Sequence, residues 1–355
     1  MTTPSTSFAT SPIAAYETNT SIAEIAEELR LARRVLVTTH QKPDGDALGS
    51  VLAVVRACAA IGVDARGWVV DPCEGNLRSF EGTTLVRHVD PRAVTLPEGE
   101  FDLVVVVDTG AWPQLEALAP WLRARTERVI GLDHHARGDA VAARRVVDVG
   151  CGSCTALLIR LIDAMGVDVR SGADERGRCS IAEALYMGLA TDTGWFRFPN
   201  ARAEEFALAA RLLEAGVDKD AMYQQIEQSS RAARVELQAC ALSSLEMLDS
   251  GRVALMQLRA SDFGETGAMP EETAGIVNIP MEIAAVRASV LIVEDAQAGV
   301  VKLSFRSKPA DDSGTYIDVN EVAARLGGGG HIHAAGAKQK ASLSEVVARV
   351  RAMKF

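Results

Sequence analysis

Two textures of apolar residue alternate through the first two thirds of the chain. Short β-branched runs start at Val35 and recur at Gly67 to Val70, Val104 to Val107 and Arg128 to Leu132. Between them, apolar residues return every three to four positions, which is the period of a helix with one buried face. Ile22, Ile25, Ala26 and Leu29 form such a stripe, which Thr20 or Ser21 can cap and which runs to about Arg33. Ala47 to Cys58 continues as a helix to Ile61 and stops at Gly62; Cys154 to Met165, Ile181 to Leu189, and Ala203 to Ala215 ahead of Gly216 are further helices. Strands alternating with helices predict a doubly wound, mainly parallel α/β sheet.

The texture changes beyond Gly216. Asp218 to Leu248 is polar and helical, with Gln224, Gln225, Glu227, Gln228, Arg231 and Arg234 and no Gly or Pro, and reads as a linker helix. From Arg252 the β runs Val253 to Leu258, Ala288 to Val293 and Val300 to Phe305 are separated by Gly, Asp and Pro turns, and helices at Val319 to Leu326 and Ser342 to Met353 follow. This is a smaller α+β domain. The expected divisions are a Ser/Thr-rich disordered leader over 1–18, a first domain over 19–216, the linker over 217–248 and the second domain over 249–355. At 355 residues both domains can bury a core.

Polar knots sit where the apolar runs end. The first run empties into His40, Asp44 and Asp46, three metal-type ligands in one loop. Val107 is followed by Asp108 and Thr109, Leu132 by Asp133, His134 and His135, and Leu189 by a knot containing Asp192. In open α/β sheets chemistry lies at the carboxyl ends of the strands, where the first three knots fall. A lone Asp in such a place is more often a helix cap or turn residue, but the ordered set outweighs that reading. His88 belongs to no knot and reads as a satisfied or surface histidine. Cys151 and Cys154 form a CxxC that, without a second CxxC or a nearby histidine, reads as the start of a helix rather than a zinc site.

Composition narrows the partners. A net charge of −10 argues against the basic stripe that long duplex nucleic acid requires. No apolar run reaches the length of a membrane span and the N-terminus lacks a secretory pattern, so a cytoplasmic protein with reduced thiols is expected.

HQKPDGDALGS, VVVVDTG, GLDHHARGD and ATDTG, in this order, resemble the four motifs of the DHH phosphoesterase superfamily, and GGGGHIHAAG over Gly327 to Gly336 resembles the signature of its associated C-terminal domain. The resemblance implies a two-metal site: His40, Asp44 and Asp108 on one ion, and Asp46, His134, Asp192 and the shared Asp108 on the other. Mixed His and Asp ligation suits Mn2+, with Mg2+ the alternative. Asp133 is implied to orient a histidine, and His135 to meet the substrate phosphate. Arg306, Ser307, Gly328, Gly329, Gly330 and His331 are implied to hold the nucleotide, His333 being less well matched. The glycine run is thereby read as backbone close to a ligand rather than as a linker. The tail and length resemble the nano-RNase and pAp-phosphatase branch. That implies a homodimer in which a metal-activated hydroxide hydrolyses short single-stranded oligoribonucleotides or dinucleotides, with pAp as a further substrate. Cyclic di-AMP hydrolysis is the alternative; inorganic polyphosphate hydrolysis, or nucleotide binding without turnover, is a lesser one.

Overall fold

The computed structural model describes residues 16–173, 179–295, 299–311 and 313–355, apart from the side chain of His331. The chain divides into two compact units, residues 1–229 and 230–355.

The first unit is built on strands β1 (Arg34–Thr38), β2 (Asp64–Val70), β3 (Val86–Val89), β4 (Leu103–Val107), β5 (Val129–Asp133) and β6 (Arg144–Val147), in the order β3-β2-β1-β4-β5-β6. Every adjacent pair is parallel. The strand order reverses between β1 and β4, and in this class of sheet the crevice at that reversal is where ligands bind. Val35 and Val37 of β1 and Val105 and Val107 of β4 pack into one core with the helices Ile22–Leu31, Gly45–Ala60, Cys154–Met165 and Ile181–Asp192. Leu36, Val104 and Val106 face the opposite side, against Leu118, Trp121 and Leu122. Burial on both faces explains why the central strands are uninterrupted apolar runs.

The second unit carries β7 (Glu246–Leu248), β8 (Val253–Leu258), β9 (Ala288–Asp295), β10 (Val300–Ser307), β11 (Gly329–His331) and β12 (Ala334–Gln339), ordered β11-β12-β10-β9-β8-β7. Only β8 and β9 run parallel among these pairs; the rest are antiparallel. The helices Val319–Ala324 and Leu343–Arg351 cover one face, through Val319, Val322, Val346 and Val350.

Two expectations change. The stretch read as one linker helix is two helices, Lys219–Glu227 and Ala232–Ser243. The break falls after the C-cap Gln228, where Ser229 Oγ donates to the carbonyl of Gln225 (2.6 Å), and the later helix buries Leu237 and Ala241 against Met256 and Leu291 of the second sheet. Residues 16–18, read as the end of a disordered leader, are bonded into the first unit: Thr18 Oγ1 donates to the carbonyl of Val147 and accepts its amide, both at 2.9 Å. Residues 1–15 lie outside the described residues. The satisfied histidine, His88, is held between Asp71 (2.8 Å) and Glu81 (2.7 Å).

Candidate metal centre

Adjacent strands in the sheet deliver adjacent knots. His40 follows β1, Asp108 follows β4, and Asp133 to His135 close β5. Asp44 is the N-cap of the Gly45–Ala60 helix and Asp46 lies in its first turn, while Asp192 ends the Ile181–Asp192 helix. Those two helices approach backbone to backbone. A Cβ on Gly49 would stand 2.5 Å from the carbonyl of Ala184, and one on Gly188 would stand 2.4 Å from Thr155 Cγ2 and 2.5 Å from Asp46 Oδ1. Gly188→Ala therefore has to push Asp46 and Thr155 aside. We expect a loss of about 1–3 kcal/mol of stability together with weakened Mn2+ binding, read by thermal melting with and without the metal; an unchanged melt in both would remove the close contact as a constraint.

The side chains converge as three overlapping groups, His40, Asp44 and Asp108, then Asp46, His134 and Asp192, and Asp108, His134 and His135, each with ligand atoms within 4.8 Å of one another. Asp108 links the first two: its Oδ2 is 3.6 Å from His40 Nε2 and its Oδ1 is 3.4 Å from His134 Nε2. His134 Nε2 is also 3.8 Å from Asp46 Oδ2 and from Asp192 Oδ2. Both imidazoles are turned the same way. The Nδ1 of His40 meets the carbonyl of Gln41 (3.0 Å) and that of His134 meets the carbonyl of Cys151 (3.3 Å). With Nδ1–H donated to a carbonyl, Nε2 is the nitrogen turned to the cluster, as in a metal-ligating histidine.

Each carboxylate is held differently. Asp44 is in fact a helix cap, its Oδ1 accepting the amides of Asp46 (3.1 Å) and Ala47 (3.0 Å), and its second oxygen is left for the cluster. Asp46, 1 % exposed, accepts the amides of Cys154 (2.6 Å) and Thr155 (3.0 Å) and the Thr155 hydroxyl (2.8 Å) at the start of the Cys154–Met165 helix. The CxxC thus begins a helix, and its backbone serves the cluster. Asp108 Oδ1 is buried with no hydrogen-bond partner among the described residues. Its φ of 58° places a non-glycine residue in the left-handed region, a strain that collects at functional sites.

Packing these carboxylates together, with Asp46 and Asp108 buried, has an electrostatic cost. Burial, then repulsion from Asp108 and Asp192, pushes the Asp46 carboxyl up, and burial raises that of Asp192 to about 6. Burial works against charge on Asp108 as well, but the bonds and charges of His134 and His40 outweigh it and hold Asp108 at about 2. Burial likewise opposes protonation of the imidazoles, yet Asp108 and its neighbours lift His40 to about 9 and His134 to about 10. Burial of like charge around an orphaned oxygen is the situation divalent cations relieve, and a donor set of carboxylates and imidazoles fits Mn2+ or Mg2+.

Asp133, fully buried, accepts three N–H groups on Oδ1: the amides of His134 (2.8 Å) and His135 (3.2 Å) and Nδ1 of His135 (2.7 Å). His135 is about half exposed, and the Asp133 bond raises its pKa.

In the second unit Ser307 and His333 meet where β10 pairs with β12, and Arg306, the preceding residue of β10, stands opposite Ala334 in the register. Ser307 Oγ contacts His333 Nδ1 (2.9 Å), and the His333 ring meets Tyr316 edge-on at 6.0 Å. Arg306 donates to the carbonyl of Phe305 (2.9 Å), and no carboxylate pairs with it among the described residues. The glycine run is partly accounted for by packing: a Cβ on Gly328 would be 2.1 Å from the carbonyl of Gly336, and one on Gly330 2.5 Å from that of Ala334. The Gly330 amide is already donated to Asn320 Oδ1 (2.8 Å), whereas a Cβ on Gly329 would meet only Asn320 Oδ1, at an ordinary contact distance of 3.6 Å. The participation of Thr155, Tyr316 and the Cys151 carbonyl had no signal in the sequence, because each depends on long-range packing.

Residues 34–189 match the model of the DHH family, N-terminal domain, and residues 251–353 match the DHHA1 domain. The chain is 28% identical over 327 residues to a bifunctional oligoribonuclease and PAP phosphatase NrnA from Thermus thermophilus, covering 88% of this chain and 89% of the relative. It is 22% identical over 316 residues to the protein of that name from Bacillus subtilis, covering 88% and 92% of the two chains. Among solved structures, an exopolyphosphatase-related protein from Bacteroides fragilis superposes with a TM-score of 0.81 at 25% identity, over 92% of this chain and 93% of that one. With the four motifs meeting in one cluster and both domain models matched in order, the chain carries the N-terminal domain of the DHH family followed by a DHHA1 domain.

Proposed function

We propose that this protein is a divalent-metal-dependent phosphoesterase that hydrolyses very short oligoribonucleotides and dinucleotides such as pApA and pGpG to mononucleotides, and pAp to AMP. The observation that carries this is the buried carboxylate of Asp108 set between two imidazoles, its Oδ2 facing His40 Nε2 and its Oδ1, which has no hydrogen-bond partner among the described residues, facing His134 Nε2. His40, Asp44 and Asp108 would hold one cation and Asp46, His134, Asp192 and Asp108 a second, Mn2+ or Mg2+. When bound, such a pair supplies an activated water and Lewis-acid stabilisation of the phosphate. The names of the relatives support the substrate class.

The chain's own residues do the rest. Asp133 holds His135 by Nδ1 and favours its protonated form, so Nε2–H is available as a donor to the phosphate or the departing oxygen. In the second domain, Arg306 offers a guanidinium without a carboxylate partner, suited to bidentate capture of phosphate. Ser307, Gly329 and His331 are further family positions that we assign to the nucleotide, and His333 is bonded to Ser307. Arg306→Ala should raise KM for pApA about tenfold and leave kcat within about twofold; steady-state kinetics with both parameters unchanged would remove Arg306 from the site. No described helix is long and apolar enough to cross a membrane, and a cytoplasmic homodimer is the setting we propose.

The decisive test is product chromatography with Mn2+, against an EDTA control, on pApA, a five-nucleotide RNA, pAp, cyclic di-AMP and tripolyphosphate. Mononucleotides from pApA and the short RNA, lost with EDTA, support the reading. Consumption of cyclic di-AMP or tripolyphosphate alone replaces it with that activity, and silence in every lane sinks it.

A further inference from the structure

Asp133 has a second oxygen, and its partner comes from the far end of the sequence. Tyr16 Oη donates to Asp133 Oδ2 at 2.5 Å. The carboxylate is thus divided: one oxygen serves the two histidines of the motif, the other serves Tyr16. The tyrosine has a built place. A Cβ on Gly110 would stand 2.0 Å from its hydroxyl and one on Gly138 2.6 Å from its Cζ, so two glycines flanking the motif loops clear the space the ring fills. The Arg145 guanidinium lies 6.0 Å from the ring centroid.

The segment behind the ring is anchored along the open edge of the sheet. Besides Thr18, the amide of Asn19 donates to the carbonyl of Arg145 (3.0 Å), its Nδ2 donates to that of Ala143 (2.8 Å), and its Oδ1 accepts the amide of Arg145 (2.7 Å). Edge strand β6 is therefore occupied by residues 18 and 19, which aim Tyr16 into the pocket under β4 and β5. Burial, reinforced by the charge of Asp133, pushes the phenol far above its ordinary range, so the hydroxyl keeps its proton and remains a donor.

We propose that Tyr16 is a positioning residue for the phosphoesterase reaction, acting through Asp133 to hold His135 in one rotamer and one tautomer. This rests on the function proposed above. None of the candidate metal ligands is bonded to Tyr16 among the described residues; its link to the cluster runs through Asp133, whose Oδ1 holds Nδ1 of His135 and the backbone amides of His134 and His135. Without the hydroxyl, Asp133 keeps a buried oxygen with no donor, and the carboxylate is free to rotate away from the imidazole.

The test uses the full chain loaded with Mn2+ and compares wild type, Tyr16→Phe, Asp133→Asn and the double variant on pApA. Phe keeps the ring and the packing and removes only the donor. The expected result is a fall in kcat of about tenfold for Tyr16→Phe, the scale of one hydrogen bond to a charged group, with KM and half-saturating Mn2+ within about twofold of wild type. The double variant should be no slower than Asp133→Asn alone, because the two residues act in series. Wild-type kcat in Tyr16→Phe, independent losses that multiply in the double variant, or a loss carried by KM or by Mn2+ dependence would each overturn the proposal. If wild type itself turns over no nucleotide, the functional reading fails, and the positioning claim is decided separately by nitrogen NMR of 15N-histidine-labelled protein kept free of Mn2+. A Tyr16→Phe spectrum in which the His135 Nδ1–H signal shifts or broadens supports it, and an unchanged one overturns it.

Discussion

Asp108→Asn should lower the turnover of a linear dinucleotide at saturating Mn2+ by about 10^3-fold or more, the scale seen when charge stabilisation of a transition state is removed. Asparagine is the informative replacement because Asp108 stands at φ 58°. Asn enters the left-handed region more readily than other side chains with a Cβ, so the backbone stays and only the charge is lost. An alanine variant would mix loss of the carboxylate with a strained backbone. The expected loss is large because the carboxylate faces both imidazoles at once, His40 on Oδ2 and His134 on Oδ1. The variant should keep its circular dichroism spectrum, and kcat should fall with it. Mn2+-dependent turnover within tenfold of wild type would mean that Asp108 is not shared between two cations.

The second large effect is on metal affinity as a function of pH. In the metal-free protein His40, at about 9, and His134, at about 10, carry protons at pH 7. A cation must displace both, and each proton released makes apparent affinity rise about tenfold per pH unit. Between pH 7 and 8 Mn2+ binding should therefore strengthen by up to about a hundredfold, with proton uptake by the buffer measurable by titration calorimetry in buffers of different ionisation heat. The metal-free fold should respond in the opposite sense. An imidazole raised above its ordinary 6.5 stabilises the fold fully below that pH, and the contribution disappears as pH climbs through about 9 and about 10. EDTA-treated protein should melt lower at pH 9 than at pH 7 on this account. An affinity independent of pH would show that the cation does not displace protons from the two imidazoles.

What was legible in the sequence follows from where each segment sits. β1, β4 and β5 are central strands buried on both faces, and their continuous apolar runs announce them. The edge strands β3 and β6 present Arg87, His88, Arg144 and Arg145, and so break the apolar pattern. Strand β12 is Ala-Ala-Gly-Ala-Lys-Gln, without a β-branched residue to mark it. The knots after the strands were readable because Asp and His in order are rare as a set, whereas the environment that makes Asp46 rigid arrives from residues 154 and 155, over a hundred positions away. The glycine run illustrates a different limit. Sequence shows that backbone comes close to something at Gly328 and Gly330, and the partner in the structure is strand β12 of the same domain.

The occupied edge of β6 bears on where a working unit starts. The family match begins at residue 34, and a chain trimmed there would retain every candidate ligand of the cluster. It would nonetheless leave β6 with unpaired backbone groups open to a neighbouring chain, and it would leave Asp133 with one bare oxygen. Similarity ends where residues stop matching, but the cooperative unit ends where hydrogen bonds stop, and here the second boundary lies at least eighteen residues earlier, at Tyr16.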